Sequence, residues 1–235
     1  ICSLLQNTKE PIRIIVVNNG DQKFSVPPAE SRVVLLEMEK NLGWTQGVNV
    51  GLKWILKNDP APFIMWLNDD TQILPHDYGW LTKMINCFQI DQKIAAVGPT
   101  SNNVMGHQTT NHVHSRPAIR TTFLSGMCLL TRRSIVEEMG PLDDCPAGGD
   151  DLDFSIRLAQ KGYQLYICRR AFILHFCSVT GRRIFGDYWN SQQQAEDINN
   201  WLIKKHGFKT WYDCINMVIP GDNGSFDYEL DEEKL

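Results

Sequence analysis

Three short groups of residues in this chain are of the types, and at the spacings, that do chemistry. The first is Asn68-Asp69-Asp70, which follows directly on an apolar run. Two carboxylates in that place can hold a hard divalent cation, which takes oxygen ligands and shares them with phosphate groups. The same residues also form an Asx turn that caps a following helix. The second group is Gly148-Gly149-Asp150-Asp151-Leu152-Asp153. Its glycines let backbone approach a ligand closely, and its acids open a helix whose dipole favours their ionised form. An ionised carboxylate beside a bound hydroxyl can serve as general base; a simple helix cap uses the same residues. The third is His175, at the end of an apolar run, where an imidazole can ligate a metal or sit satisfied in the core. His107, His112 and His114 lie in a turn-rich stretch that reads as a flexible loop, with a histidine-only metal site as the alternative.

Groups so far apart in sequence need a scaffold to bring them together. Residues 11–17 hold Ile-Arg-Ile-Ile-Val-Val, a β-branched run typical of a buried parallel strand, ended by the turn formers Asn18-Asn19-Gly20-Asp21. A second strand is expected at 32–36, then a turn at Asn41-Leu42-Gly43-Trp44 and a helix through Val48, Leu52, Ile55 and Leu56 that stops before Pro60. Further strands are expected at 62–67, 94–97, 122–130, 163–167 and 171–175, and further helices at 78–88, 133–139, 150–161 and 192–205. Residues 99–119 are expected to be a long loop. The first six residues read as the last turns of a helix, which implies that a strand preceding it is absent from this chain. Alternating strands and helices predict a single α/β domain, a mostly parallel sheet with helices on both faces. Ligands then bind beyond the carboxyl ends of the strands, and the polar clusters at 18–21, 41–49 and 68–71 all fall there.

Composition narrows the function. Of 235 residues 43% are hydrophobic and 21% charged, and the net charge of −4 gives no basic surface for nucleic acid. The seven cysteines are scattered and odd in number, as expected of reduced thiols in a cytoplasmic protein. No apolar run reaches the roughly 18 residues that span a bilayer, which leaves a peripheral membrane contact open. The acids Asp227, Glu229, Asp231, Glu232 and Glu233 read as a solvated tail.

In their order along the chain these segments resemble glycosyltransferase family 2, with the GT-A fold lacking its first strand. The resemblance rests on Asn41-Leu42-Gly43-Trp44-Thr45-Gln46-Gly47-Val48-Asn49-Val50-Gly51-Leu52 and on Leu67-Asn68-Asp69-Asp70-Thr71, which is similar to the family's Asp-x-Asp variant. It continues through Leu124-Ser125-Gly126-Met127-Cys128-Leu129-Leu130, Met139-Gly140-Pro141-Leu142-Asp143-Asp144, Asp150-Asp151-Leu152-Asp153 with Arg157-Leu158 and Gly162-Tyr163, and His175-Phe176-Cys177-Ser178. It implies an inverting transfer from a nucleotide-sugar donor, a UDP-sugar first, to a hydroxyl acceptor such as a glycan, in polysaccharide biosynthesis. It assigns Asp70 and His175 to Mn2+ or Mg2+, and Asp151, with Asp150 as its understudy, to the base. Asn18, Asn19, Asn41, Gly43, Gly47, Asn49, Asn68 and Asp69 are assigned to the donor. Residues 1–98 become the donor half, 99–208 the acceptor and catalytic half, and 209–235 an extension. The family usually has an aspartate where Asn18 stands, and an amide donates as well as accepts, so it reads a base differently. The alternatives are a non-catalytic nucleotide-sugar-binding module and a sugar-nucleotide pyrophosphorylase of related architecture.

Overall fold

The computed structural model describes residues 1–20, 25, 30–77, 79–109, 116–146, 148–177 and 179–219. Along these, α1 (Cys2–Asn7) leads to β1 (Ile14–Asn18), β2 (Val33–Glu37) and α2 (Gly43–Asn58). Then come β3 (Phe63–Leu67), the short β4 (Thr71–Ile73), α3 (Trp80–Cys87) and β5 (Ile94–Ser101). β6 (Ala118–Thr121), β7 (Cys128–Arg132), α4 (Arg133–Met139), α5 (Asp150–Gln160) and β8 (Gln164–His175) follow, and α6 (Val179–Phe185), α7 (Gln192–His206) and α8 (Phe208–Ile215) come last. His112, His114, Asp21, Ser178 and the acidic tail lie outside the described residues.

β1 and β2 pair in parallel, from Ile14 opposite Val33 to Asn18 opposite Glu37. The larger sheet runs in the order β3-β7-β5-β8-β4, with β6 also on β8. The core divides by the two-residue period of its strands. Cys128 and Leu130 of β7, with Tyr166 and Cys168 of β8, face α3 through Trp80, Met84 and Cys87. Leu129, Leu165 and Ile167 face the other way, onto Leu52 of α2, Ile135 and Val136 of α4, and Phe154 and Leu158 of α5. Helices therefore cover both faces of one sheet, as the alternating pattern predicts. Each fully buried Leu or Met on either face contributes about 1.5–3 kcal/mol.

Strand direction departs from the expectation of a mostly parallel sheet. β5 and β8 are parallel, but β7 runs antiparallel to both β3 and β5, and β4 and β6 run antiparallel to β8. Short strands after tight connections have no helix to carry the chain back, so they must reverse. The strands expected at 163–167 and 171–175 are one strand, because a register shift opposite Pro99 and Thr100 absorbs Arg169 and Arg170. The loop expected at 99–119 is shorter: β5 runs to Ser101, a 3-10 turn spans Gly106–Gln108 with His107 inside it, and β6 starts at Ala118. α2 begins at Gly43, whose φ of +76° turns the chain into the helix without a Cβ clash. The division expected at residue 98 falls inside β5, so both halves share the sheet.

Because β7 is antiparallel to both neighbours, β3 and β5 point the same way, and β8 follows β5. The carboxyl ends of β3, β5 and β8 therefore meet on one rim, where β7 begins.

Candidate active site

At that rim β3 stops at Leu67 and the chain turns through Asn68-Asp69-Asp70. The Asn68 amide donates to the Met127 carbonyl at 2.9 Å, and the Thr71 hydroxyl donates to the Asn68 carbonyl at 2.6 Å. β4 then pairs with the end of β8, Thr71 opposite His175. This register sets Asp70 Oδ1 3.1 Å from His175 Nε2. The other ring nitrogen, Nδ1, lies 2.8 Å from the Asn103 carbonyl. A carbonyl only accepts, so Nδ1 carries hydrogen and Nε2 faces Asp70. The Asn102 side chain holds the end of β8 from both sides, donating to the His175 carbonyl at 3.1 Å and accepting its N–H at 2.8 Å. The bond to Asp70 raises the His175 pKa, against the opposing effect of burial, and the Asn103 carbonyl assists. Nε2 and the Asp70 carboxylate thus face each other with room for one proton between them.

A divalent cation could take that proton's place between a carboxylate oxygen and an imidazole nitrogen already oriented by a carbonyl, an arrangement usual for metal-bound histidine. Among the described residues no group of three His, Cys, Asp or Glu side chains gathers to hold a metal. Asp70 and His175 therefore fit a cation that keeps its other positions for phosphate or water oxygens, as Mg2+ does. Asn68 Nδ2 lies 3.5 Å from Nε2, and Asp69 is exposed at the tip of the turn.

The second group sits at the start of α5. Asp150 is buried and Asp151 half-buried. Asp150 Oδ2 accepts the indole N–H of Trp44 at 3.0 Å. Asp151 Oδ2 accepts the Gly126 amide at 3.0 Å and its Oδ1 accepts the Leu152 amide at 2.8 Å. A Cβ on Gly126 would stand 3.4 Å from that of Asp151, so glycine allows this approach. Burial first, then the charge of Asp151, pushes Asp150 up to about 7, against the pull of Trp44. Burial also raises Asp151, opposed by the Gly126 and Leu152 amides. Two adjacent acids in one desolvated corner retain a proton near neutrality, which poises one of them for proton transfer.

One turn further on, Asp153 is fully buried and anchors the helix. It meets Arg157 Nε at 3.0 Å, His206 Nε2 at 2.7 Å and the Lys205 ammonium. Arg157 also donates to the carbonyls of Met139 and Pro141, each at 3.0 Å. The start of α5 is thereby fixed to α7 and to the segment after α4.

Residues assigned to the donor gather where β1 meets α2. Asn19 donates to the Gly43 carbonyl at 2.8 Å and accepts the Leu42 amide at 2.7 Å, while Asn41 accepts the Gly43 amide at 2.8 Å. A Cβ on Gly47 would come 3.3 Å from Asn19 Nδ2, so glycine lets α2 lie against β1. Asn18 donates to Glu37 at 2.7 Å. Asn49 lies on another face of α2: its amide accepts the Leu142 N–H at 2.8 Å and donates to the Leu142 carbonyl at 2.9 Å. It ties α2 to the segment before α5.

The Asn68–Asp70 turn and the acids of α5 are neighbours through one stretch of backbone, since Met127 holds Asn68 and Gly126 holds Asp151. Trp44 bridges the start of α2 to the same acids. In the sequence neither Trp44 nor Gly126 stands out as a site residue, and Asn102 and Asn103 fall within the stretch at 99–119 expected to be a loop. Trp44 stood in a quoted motif, yet its partner lies 106 residues away, beyond any local pattern.

The sequence matches the family described as glycosyl transferase family 2 over residues 1–140. It is 23% identical over 214 residues to the O-antigen chain rhamnosyltransferase RfbN of Salmonella typhimurium, covering 80% of this chain and 65% of that protein. It is 21% identical over 230 residues to the O-antigen chain rhamnosyltransferase WbaN of Salmonella anatum, covering 86% and 68%. The chain thus spans about two thirds of the length of these relatives. Among solved structures, GalNAc-T7 with UDP, GalNAc and Mn2+ superposes with a TM-score of 0.62 at 13% identity, over 91% of this chain and 46% of that one. The mannosyltransferase PcManGT from Pyrobaculum calidifontis, in complex with GDP-Man and Mn2+, gives 0.56 at 15% identity, over 86% and 59%. At such identities the likeness is one of fold, and that fold is GT-A.

Proposed function

This chain belongs to glycosyl transferase family 2, and on that premise we propose that it moves a sugar from a nucleoside-diphosphate sugar to a hydroxyl acceptor, inverting the anomeric carbon with the help of a divalent cation. The observation that carries this reading is the meeting, around Gly126 and Met127, of a carboxylate–imidazole pair and the two adjacent acids that open α5. The first suits a cation shared with a diphosphate; the second suits removal of a proton from an acceptor.

In this mechanism Asp151 accepts the proton of the acceptor hydroxyl. The freed oxygen attacks the anomeric carbon from the face opposite the nucleoside diphosphate, which leaves. Asp150, held by Trp44, keeps a second negative charge close by and raises the basicity of its neighbour. Gly126 fixes the direction of Asp151 through its amide. Asp70 and His175 would hold Mn2+ or Mg2+, which supplies neutralisation of the charge gathering on the diphosphate. Asn18, Asn19, Asn41, Gly43 and Gly47 form the donor side, with Asn68 and Asp69 beside the phosphates; Asn49 acts by holding the segment before α5. UDP, as in the GalNAc-T7 complex, is the first donor nucleotide to try, and the O-antigen relatives support a glycan acceptor. Residues 1–98 serve the donor and 99–208 the acceptor and catalysis.

Calorimetric titration of UDP, dTDP, GDP and CMP, with and without Mn2+, tests the donor side. One nucleotide is expected to bind, and to need the cation; binding of none would overturn the reading. Asp151→Asn is expected to keep nucleotide affinity and to lose transfer. Turnover surviving in that variant would remove Asp151 from its role.

A further inference from the structure

We infer that the α6 unit, residues 181–189, forms a docking surface for an anionic lipid bilayer. The unit is packed by its own side chains. Trp189 lies flush on Gly181, where a Cβ would fall 2.2 Å from the indole, so glycine alone leaves room for the ring. The Phe185 ring stacks on Trp189, 5.6 Å between centroids and 13° between planes. Tyr188 donates to Asp197 at 2.8 Å and so ties the unit to α7. Beside this packing Ile184 and Phe185 remain 48% and 40% exposed.

Arg182 and Arg183, next to Ile184 and Phe185 in the same helix, are exposed, and neither has a carboxylate at ion-pair distance among the described residues. Asp187 is the acid of the same run, which leaves it cationic in a chain whose net charge is −4. Guanidinium groups beside aromatic and aliphatic side chains suit the headgroup layer, where rings enter the boundary and cations meet lipid phosphates. Among the described residues no helix is long and apolar enough to cross a membrane, so attachment through this surface is peripheral. The rival apolar face, Phe208 and Tyr212 on α8, has its Lys209 paired with Asp213 at 2.6 Å and offers less charge to a phosphate layer.

Co-sedimentation of the full chain with vesicles tests this without turnover, so its failure leaves the transferase reading to the nucleotide titration. The chain is expected to bind vesicles containing phosphatidylglycerol, to bind phosphatidylcholine alone weakly, and to be released by salt. Arg182→Gln with Arg183→Gln is expected to weaken binding about 30-fold, roughly fivefold for each charge. Ile184→Ser is expected to weaken it several-fold, and both variants should keep their melting temperature and nucleotide affinity. Absence of vesicle binding, or equal binding by the arginine variant, overturns the proposal. Loss on Phe208→Ser but not on the arginine change moves the contact to α8, and self-association abolished by Ile184→Ser assigns the surface to a second copy; each overturns it too.

Discussion

Replacing Trp44 by phenylalanine removes one N–H donor and little else from the start of α2. That donor lies 3.0 Å from Asp150 Oδ2 and favours the ionised acid, which burial and Asp151 push up to about 7. A hydrogen bond to a charged group is worth about 1.5–3 kcal/mol. Trp44 is 40% exposed, so water replaces part of the loss and the lower end applies. At about 1.4 kcal/mol per pKa unit, Trp44→Phe should move the acidic limb of the pH profile up by about one unit. At pH 7 the ionised fraction then falls from about a half to about a tenth, so kcat/KM drops about fivefold, while at pH 9 the two proteins agree to within about 10%. The assay is nucleoside diphosphate release at low donor concentration and fixed Mg2+, from pH 5.5 to 9. A rate lowered equally at every pH would refute the reasoning, because Trp44 would then be holding geometry without influencing the titrating acid.

Other outcomes follow from the same contacts. Asp150→Asn should stabilise the protein above neutrality. An acid whose folded pKa is raised gives its full stability below the unfolded value of 3.8 and loses it as pH rises towards 7. The melting temperatures of the two proteins should therefore coincide near pH 4 and separate in the variant's favour by pH 8, by at most about 4 kcal/mol; a variant less stable at pH 8 would refute this. Asp70→Asn should weaken cation-dependent nucleotide binding by at least about tenfold in calorimetry, leaving any cation-free binding as it was. Asp153→Asn removes the charge that faces Arg157, Lys205 and His206 in a fully buried position, and should cost about 3–5 kcal/mol in thermal or urea unfolding.

What the sequence made legible was whatever is written in neighbouring residues. The β-branched run at Ile14–Asn18 and the acids opening α5 carry their structure locally, and α4 has the bounds its pattern implies. β4, three residues long, gives no period to read, and it exists because β8 offers it an edge. β8 hid its continuity because Arg169 and Arg170 interrupt its apolar run, whereas a register shift between Cys168 and Phe172 accommodates them within the strand. Strand direction went unread because the two-residue alternation is the same in both senses. In the site, the acids and histidine stood out by type. What holds them did not: Trp44 on Asp150, Gly126 on Asp151 and the Asn103 carbonyl on His175 are contacts across long sequence separations, made by residues ordinary in their own surroundings.

Three segments around the rim are held by a carboxamide that gives a hydrogen to a carbonyl and takes one from an amide: Asn19 at Leu42 and Gly43, Asn49 at Leu142, and Asn102 at His175. Asparagine is also a thermolabile residue. Deamidation at any of these positions would exchange the donor for a negative charge pointed at a carbonyl oxygen, turning an attraction into a repulsion while leaving both faces of the apolar core untouched. Hydrolysis at these positions would therefore disable the site without opening the core. An ageing preparation should lose its site, one charge at a time, while it still melts as a folded protein.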